Sequence, residues 1–311
     1  MTGADSILVI KLSALGDFVQ AFGPFAAIRA HHKAAHITLL TTRPYEDFAR
    51  ASPWFNDVWV DRRPRFWQIG ALLDLRRRLR SRPFAMVYDL QTSDRSSWYY
   101  RLMGRPPWSG IARGCSHRHA NPKRDFMHTF ERQAEQLAIA GIPSVPPPDL
   151  SWIRADTSRF GLPDRYVLLV PGGAAHRHDK RWPVERYTAL AQTLAARSIV
   201  PVLLGTQDDA AAIKAISTAC RQARSLLGQT DLFDIAALAR GAAGAVGNDS
   251  GPMHLIAAAG CPAVALFSAA SDPALCGQRG RVATLRRDNL ADLALEPVLA
   301  ALGSGPAALR L

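Results

Sequence analysis

The chain has 311 residues, beyond the size at which one hydrophobic core usually stops growing, so two domains are expected. Hydrophobic residues make up 48% and charged residues 21%, which excludes a disordered chain, and the longest apolar run, Ile256–Phe267, is broken by Gly260 and Pro262 and falls short of the ~20 residues of a spanning helix. The formal charge is +12, of which residues 1–155, with 22 Lys and Arg against 13 Asp and Glu, carry +9, so the first half is expected to meet something acidic.

The opening residues show no basic leader and no small-residue cleavage site, which points to a cytoplasmic location. From there short β-rich apolar runs alternate with amphipathic helical segments, the pattern of a parallel sheet covered by helices. Strands are predicted at Ile7–Leu12, His36–Thr41, Asp57–Val60 and Ala85–Leu90, and helices at Phe18–Ala30, Pro44–Ala51, Trp67–Arg80, Ser96–Met103 and Phe126–Ala140. The basic, aperiodic stretch Arg113–Arg124 reads as an exposed loop. Residues 142–149, with four prolines that lack N–H donors, read as the linker between domains 1–150 and 151–311. The alternation then restarts, with strands at Tyr166–Val170, Ile199–Leu204, Ala243–Gly247 and Ala263–Phe267, and helices at Val184–Arg197, Asp208–Arg221, Leu232–Arg240 and Met253–Ala259. A last helix over Leu290–Leu302 is a candidate to pack back on the first domain. The four cysteines form no CxxC pair and read as reduced, mostly buried thiols.

In doubly wound folds ligands sit outside the carboxyl ends of the strands, which directs attention to four loops. The first, Lys11–Asp17, ends in a carboxylate at a helix entry; Asp17 is either an N-cap or a general base facing the interdomain cleft. The second opens with Gly172 and Gly173, whose missing side chains let backbone amides approach a ligand, and then sets cations, Lys180 among them, before Pro183. It is either a phosphate site or a solvated basic loop. The third follows Leu204 and contains the acidic pair Asp208-Asp209. The fourth, Gly247-Asn248-Asp249-Ser250-Gly251-Pro252-Met253-His254, runs from a strand into a helix N-terminus, an anion cradle. Met253 reads as core, and His254 as either a packing residue or a ligand contact.

Taken together, LSALGD at 12–17, PGG at 171–173 followed by KRWP at 180–183, NDSGPMH at 248–254 and SDP at 271–273 resemble the heptosyltransferase-type enzymes of glycosyltransferase family 9, over about residues 7 to 300. The resemblance implies an α/β fold of two Rossmann-like domains facing a cleft, the glycosyltransferase-B fold, with acceptor binding on the first domain and nucleotide-sugar binding on the second. It implies inverting transfer of a sugar, heptose from ADP-heptose, onto an acidic glycan or glycolipid of lipopolysaccharide type. Asp17 would be the base; Gly172, Gly173, Lys180, Ser250 and Gly251 would hold the diphosphate; Asp209 would lie near the donor ribose; Asp249 and His254 would complete the donor side. Ser13, Gly16, Gln91 and Arg95 are the acceptor-side candidates. The chain departs from the family pattern at Ala174 and Ala175, where hydroxylated residues often follow the glycines, and at Thr230, where a Met can face the adenine.

No cofactor or metal is expected, since no DxD or His/Asp cluster is evident, and peripheral contact with the inner membrane surface fits the charge. Nucleic acid is not an expected partner, because the arginines at 62–65 and 76–82 accompany no known nucleic-acid fold. Alternatives are another nucleotide sugar, an epimerase or phosphorylase on the same fold, or a non-catalytic nucleotide-sugar-binding protein.

Overall fold

The computed structural model describes residues 5–65, 67–173 and 177–309. It divides into two compact units, Met1–Pro148 and Asp149–Leu311. The first contains β1 (Ser6–Ile10), α1 (Leu15–Gln20), α2 (Phe22–His31), β2 (His36–Thr41), α3 (Glu46–Ala51), β3 (Asp57–Val60), α4 (Ile69–Leu79), β4 (Met86–Asp89), α5 (Asp94–Leu102), β5 (Trp108–Gly110), β6 (His117–Arg118) and α6 (Thr129–Ile139). The second contains β7 (Tyr166–Val170), α7 (Val184–Ala196), β8 (Val200–Leu203), α8 (Ala210–Ala219), β9 (Arg224–Ser225), α9 (Leu232–Gly241), β10 (Gly244–Asn248), α10 (Gly251–Ala258), β11 (Ala263–Phe267), α11 (Pro273–Cys276), β12 (Val282–Arg286) and α12 (Leu295–Gly303).

Every strand pair is parallel, in the orders β3-β2-β1-β4-β5-β6 and β12-β11-β10-β7-β8-β9. Counted within its own unit, each sheet runs 3-2-1-4-5-6, so the strand order reverses between the first and fourth strands, β1/β4 and β7/β10. Helices on both faces explain why the central strands read as unbroken apolar runs: ILVI, VLLV and AVALF are buried throughout.

The predicted helix Phe18–Ala30 is two helices, because Pro24 has no N–H to offer the carbonyl of Gln20 and the chain turns at Ala21. The stretch Arg113–Arg124 is not simply an exposed loop. It contains β6, which pairs with β5, and Arg124 donates to Thr92 Oγ1 at 2.7 Å and to His119 Nδ1 at 3.2 Å. The last helix buries Val298 and Leu302 in the core of the second unit, against α7 and β11. Three of the four thiols are buried and none is in a disulfide.

Candidate active site

In the first unit the loops after β1 and β4 are held together by side chains. The Gln91 Oε1 accepts from the backbone N–H groups of Leu12 (2.8 Å) and Ser13 (3.1 Å), and Lys11 Nζ donates to the Leu90 carbonyl at 3.1 Å. Thr42 closes the other side, donating to the Leu12 carbonyl at 2.7 Å. These bonds fix the approach to α1, on which Asp17 lies half-buried at the third helical position rather than at the cap. Ala14 is the cap, and Asp17 Oδ2 accepts from its N–H at 3.4 Å, a long bond that leaves the carboxylate largely uncommitted.

Beneath this loop sit two buried charges that the sequence did not single out. Asp89, at the end of β4, accepts from the N–H groups of Gln91 (3.1 Å) and Thr92 (2.9 Å) through Oδ1, while Oδ2 has no hydrogen-bond partner among the described residues. Burial pushes its carboxyl up to about 6, against the pull of those amides and the Lys11 charge. Burial likewise lowers Lys11, opposed by Asp17 and then Asp89.

Of the acceptor-side candidates, Ser13, Gln91 and Arg95 line one cleft of about 440 Å³ with Arg63 and Arg65, whereas Gly16 is not among its lining residues. Gln91 is committed to the loop by the bonds above. Arg95 is anchored too, to the Pro64 carbonyl at 2.9 Å and beside the buried Asp61 at 4.0 Å. Ser13 Oγ receives Arg63 at 2.6 Å. A second pocket of about 830 Å³ is lined by Arg43, Arg50, Arg62, Arg63 and Arg78. Glu46 pairs with Arg43 and Arg50, at 2.6 and 2.8 Å, and Asp61 also lines the pocket, so its five arginines face two carboxylates and the lining keeps a cationic excess.

In the second unit the organising group is Asn248, fully buried at the end of β10. Its Nδ2 donates to the carbonyls of Pro171 (2.8 Å) and Gly172 (3.1 Å), and its Oδ1 accepts from Trp182 N (3.0 Å) and the Tyr187 hydroxyl (3.1 Å). All four of its bonding positions are used. Trp182 adds an anchor, its indole N–H donating to the Leu293 carbonyl at 2.9 Å. The KRWP segment is therefore not a free solvated turn: Trp182 pins it, and Lys180 projects its ammonium to Asp249 Oδ2 at 2.6 Å. Gln278 donates to the other oxygen of Asp249 at 3.4 Å.

Asp249 leads into Ser250, the N-cap of α10, whose Oγ makes no cap bond and is buried without a partner among the described residues. Gly251 and Pro252 form the first turn, and His254 is buried on it, as is Met253. Of the paired glycines only Gly172 is sterically required, since a Cβ there would collide with the Asp209 carboxylate; one at Gly173 would meet nothing within 4 Å. Asp209 itself accepts from Thr206 N (3.0 Å) and lies 3.7 Å from Arg181. Ala174 and Ala175 fall outside the described residues. The donor-side candidates Gly172, Lys180, Asp249, Ser250 and Gly251 thus lie at the β7/β10 reversal, where the Lys180 ammonium reaches Asp249 and the next residue, Ser250, caps α10 with a hydroxyl that has no partner among the described residues.

The model of the family described as glycosyltransferase family 9 (heptosyltransferase) matches residues 72–281. The chain belongs to glycosyltransferase family 9. Two relatives described as lipopolysaccharide heptosyltransferase 3 align with it. One, from Escherichia coli, is 29% identical over 40% of this chain and 38% of its own length; the other, from Escherichia coli strain K12, is 26% identical over 66% of this chain and 64% of its own. The chain thus spans between about two fifths and two thirds of the relatives it matches. Its fold is that of the E. coli ADP-heptose lps heptosyltransferase II, with a TM-score of 0.77 and 23% identity over 96% of this chain and 97% of that one. Family 9 membership agrees with the sequence motifs, and the structure shows what their uncharged members do: Asn248 and Trp182 build the frame on which Lys180 and Ser250 are presented.

Asn248→Ala should strand several buried polar groups at once, and a loss on the order of 3–5 kcal/mol is expected in urea unfolding. Asn248→Asp should do no better, since it sets a second acceptor against the carbonyls of Pro171 and Gly172. Asp89 gives a pH signature. Its folded pKa lies above the unfolded one, so folding takes up a proton, and the wild type loses stability as pH rises from about 4 to about 6. Asp89→Asn lacks that titration, so its stability relative to wild type should rise by roughly 2–3 kcal/mol across the window; a pH-independent difference in urea midpoint would contradict the assignment.

Proposed function

We propose that this chain is an inverting glycosyltransferase that moves heptose from ADP-heptose to an anionic glycan or glycolipid acceptor of lipopolysaccharide type. What supports the reading most is the meeting of Lys180, Ser250 and the α10 N-terminus at the β7/β10 reversal, a diphosphate cradle, in a family 9 chain whose first unit presents a weakly committed carboxylate, Asp17, at its own reversal. The names of the relatives support the sugar and the acceptor class.

In the reaction, Asp17 takes the proton of the acceptor hydroxyl as its oxygen bonds to the anomeric carbon from the face opposite the leaving group. The bond from that carbon to the diphosphate oxygen breaks, and its electron pair leaves with ADP. Charge building on the departing diphosphate is met by the Lys180 ammonium, the Ser250 hydroxyl and the amides of α10. Lys180 must then exchange Asp249 for phosphate, and Asp249, still held by Gln278, is placed to receive a sugar hydroxyl instead. Neutralisation by ammonium and amides needs no divalent ion. The arginine excess of the 830 Å³ pocket suits the acidic groups of the acceptor, and the cleft shared by Ser13, Gln91 and Arg95 lies beside it through Ser13 and Arg63.

Asp17→Asn keeps the shape of the side chain but cannot accept a proton, so kcat should fall by roughly 10²–10⁴ with ADP affinity unchanged. Lys180→Ala should weaken ADP binding and slow transfer together. Full turnover by the first variant, or unaltered ADP affinity in the second, removes that residue from its role; wild-type ADP binding with no turnover on any acceptor would favour a non-catalytic binding protein. Turnover should also survive EDTA, and recovery only on adding back a divalent ion would reassign the charge relief to a metal.

A further inference from the structure

Helix α4 faces inward through Leu75 and Leu79, which are buried in the first unit's core, with Leu72 half-buried on the same side. That stripe is all the core needs. A neighbouring stripe about 100° round the helix, Ile69, Leu73 and Arg76 at spacings of four and three, is exposed, and it ends at Arg80, whose guanidinium donates to the Leu102 carbonyl at 2.9 Å. Its N-terminal half is apolar: Ile69 is 67% and Leu73 53% exposed, and Trp67, just before the helix, is 58% exposed under the Arg65 guanidinium, 5.1 Å from its ring. Single exposed apolar side chains are ordinary, but three within seven residues mark a contact surface.

The charge around this tip selects the partner. Between residues 62 and 82 there are eight arginines and one carboxylate, Asp74, which is paired with Arg77 at 3.0 Å. A second copy would bring the same arginine-rich segment against itself, and a nucleic acid would offer phosphates but no apolar layer for Ile69 and Leu73. An anionic bilayer offers both, a phosphate plane at the depth of the arginines and hydrocarbon just below it. The same segment contributes Arg62, Arg63 and Arg78 to the basic pocket, so a surface engaged here would border the place assigned to the acceptor.

We propose that the Trp67–Leu73 end of α4 inserts into the headgroup layer of an anionic phospholipid bilayer, with Arg65, Arg76 and Arg77 on lipid phosphates. The inference draws on the proposed function only in placing a lipid-borne acceptor beside the basic pocket. Its test needs no turnover. The full chain is sedimented with vesicles of phosphatidylcholine alone, and with about 30% phosphatidylglycerol, at about 0.05 and 0.3 M NaCl. Binding is expected to the anionic vesicles and to fall several-fold at the higher salt. The triple variant Trp67→Ser, Ile69→Ser, Leu73→Ser should bind at least tenfold more weakly, and Arg76→Gln with Arg77→Gln roughly tenfold more weakly at low salt only. Both variants should keep the wild-type Tm and ADP affinity. Failure of the wild type to bind ADP would sink the donor-site reading and leave the vesicle result standing. Wild-type vesicle binding by the triple variant overturns the proposal, as does equal binding to neutral and anionic vesicles. A concentration-dependent dimer in analytical ultracentrifugation, abolished by the triple variant, would also overturn it by assigning the face to a second copy.

Discussion

Both units depend on the same constraint: where strand order reverses, the loops leaving the first and fourth strands run to opposite sides of the sheet, and backbone pairing cannot join them. Each unit bridges the gap with one side-chain amide from the fourth strand or just beyond it. In the first, Gln91 receives two N–H groups of the loop after β1. In the second, Asn248 gives two N–H groups to carbonyls of the loop after β7 and receives two donors from the segment that enters α7. The bridges are buried or half-buried and use neutral groups, so they hold loop geometry without the desolvation cost of an ion pair.

With the frame neutral, the charged groups are left for chemistry. In the second unit Lys180 and Asp249 hold each other at 2.6 Å with little exposure, and Gln278 holds the other oxygen of that carboxylate at 3.4 Å. In the first unit Asp17 accepts one long bond among the described residues, near Lys11, and burial drives Lys11 and Asp89 toward their neutral forms. The Asp89 oxygen and the Ser250 hydroxyl that have no partner among the described residues occupy corresponding places, at or just after the fourth strand of each sheet.

How far the sequence reveals this varies with how each residue is recruited. Strands buried on both faces announce themselves, and His36–Thr41, Asp57–Val60, Tyr166–Val170 and Ala263–Phe267 begin and end as their apolar runs do. The short outer strands do not: β6 and β9 have two residues each, carry arginine, and owe their conformation to a neighbour rather than to any pattern of their own. β12, half-exposed and ending in Arg286, is hidden for the same reason. Among site residues, charged loop positions such as Lys180 and Asp249 are legible because a cation or carboxylate at a strand end has few structural uses. Asn248 stands inside a motif with no role attached, and the backbone bonds of Gln91 are hidden, since an amide side chain carries no sign of whether it will face a backbone. Lys11 opens the first of the four loops, but nothing in the sequence signals that its ammonium is buried.

The proposed function requires the β7/β10 reversal, and not the β1/β4 reversal, to hold the nucleotide diphosphate. Hydrogen exchange measured with and without saturating ADP tests it directly. Exchange should slow at the amides of Gly172, Lys180, Trp182 and the Ser250–Met253 turn, and stay unchanged at Leu12, Ser13 and Gln91. Slowing confined to the first-unit loops, with the second unit unaffected, would contradict the account.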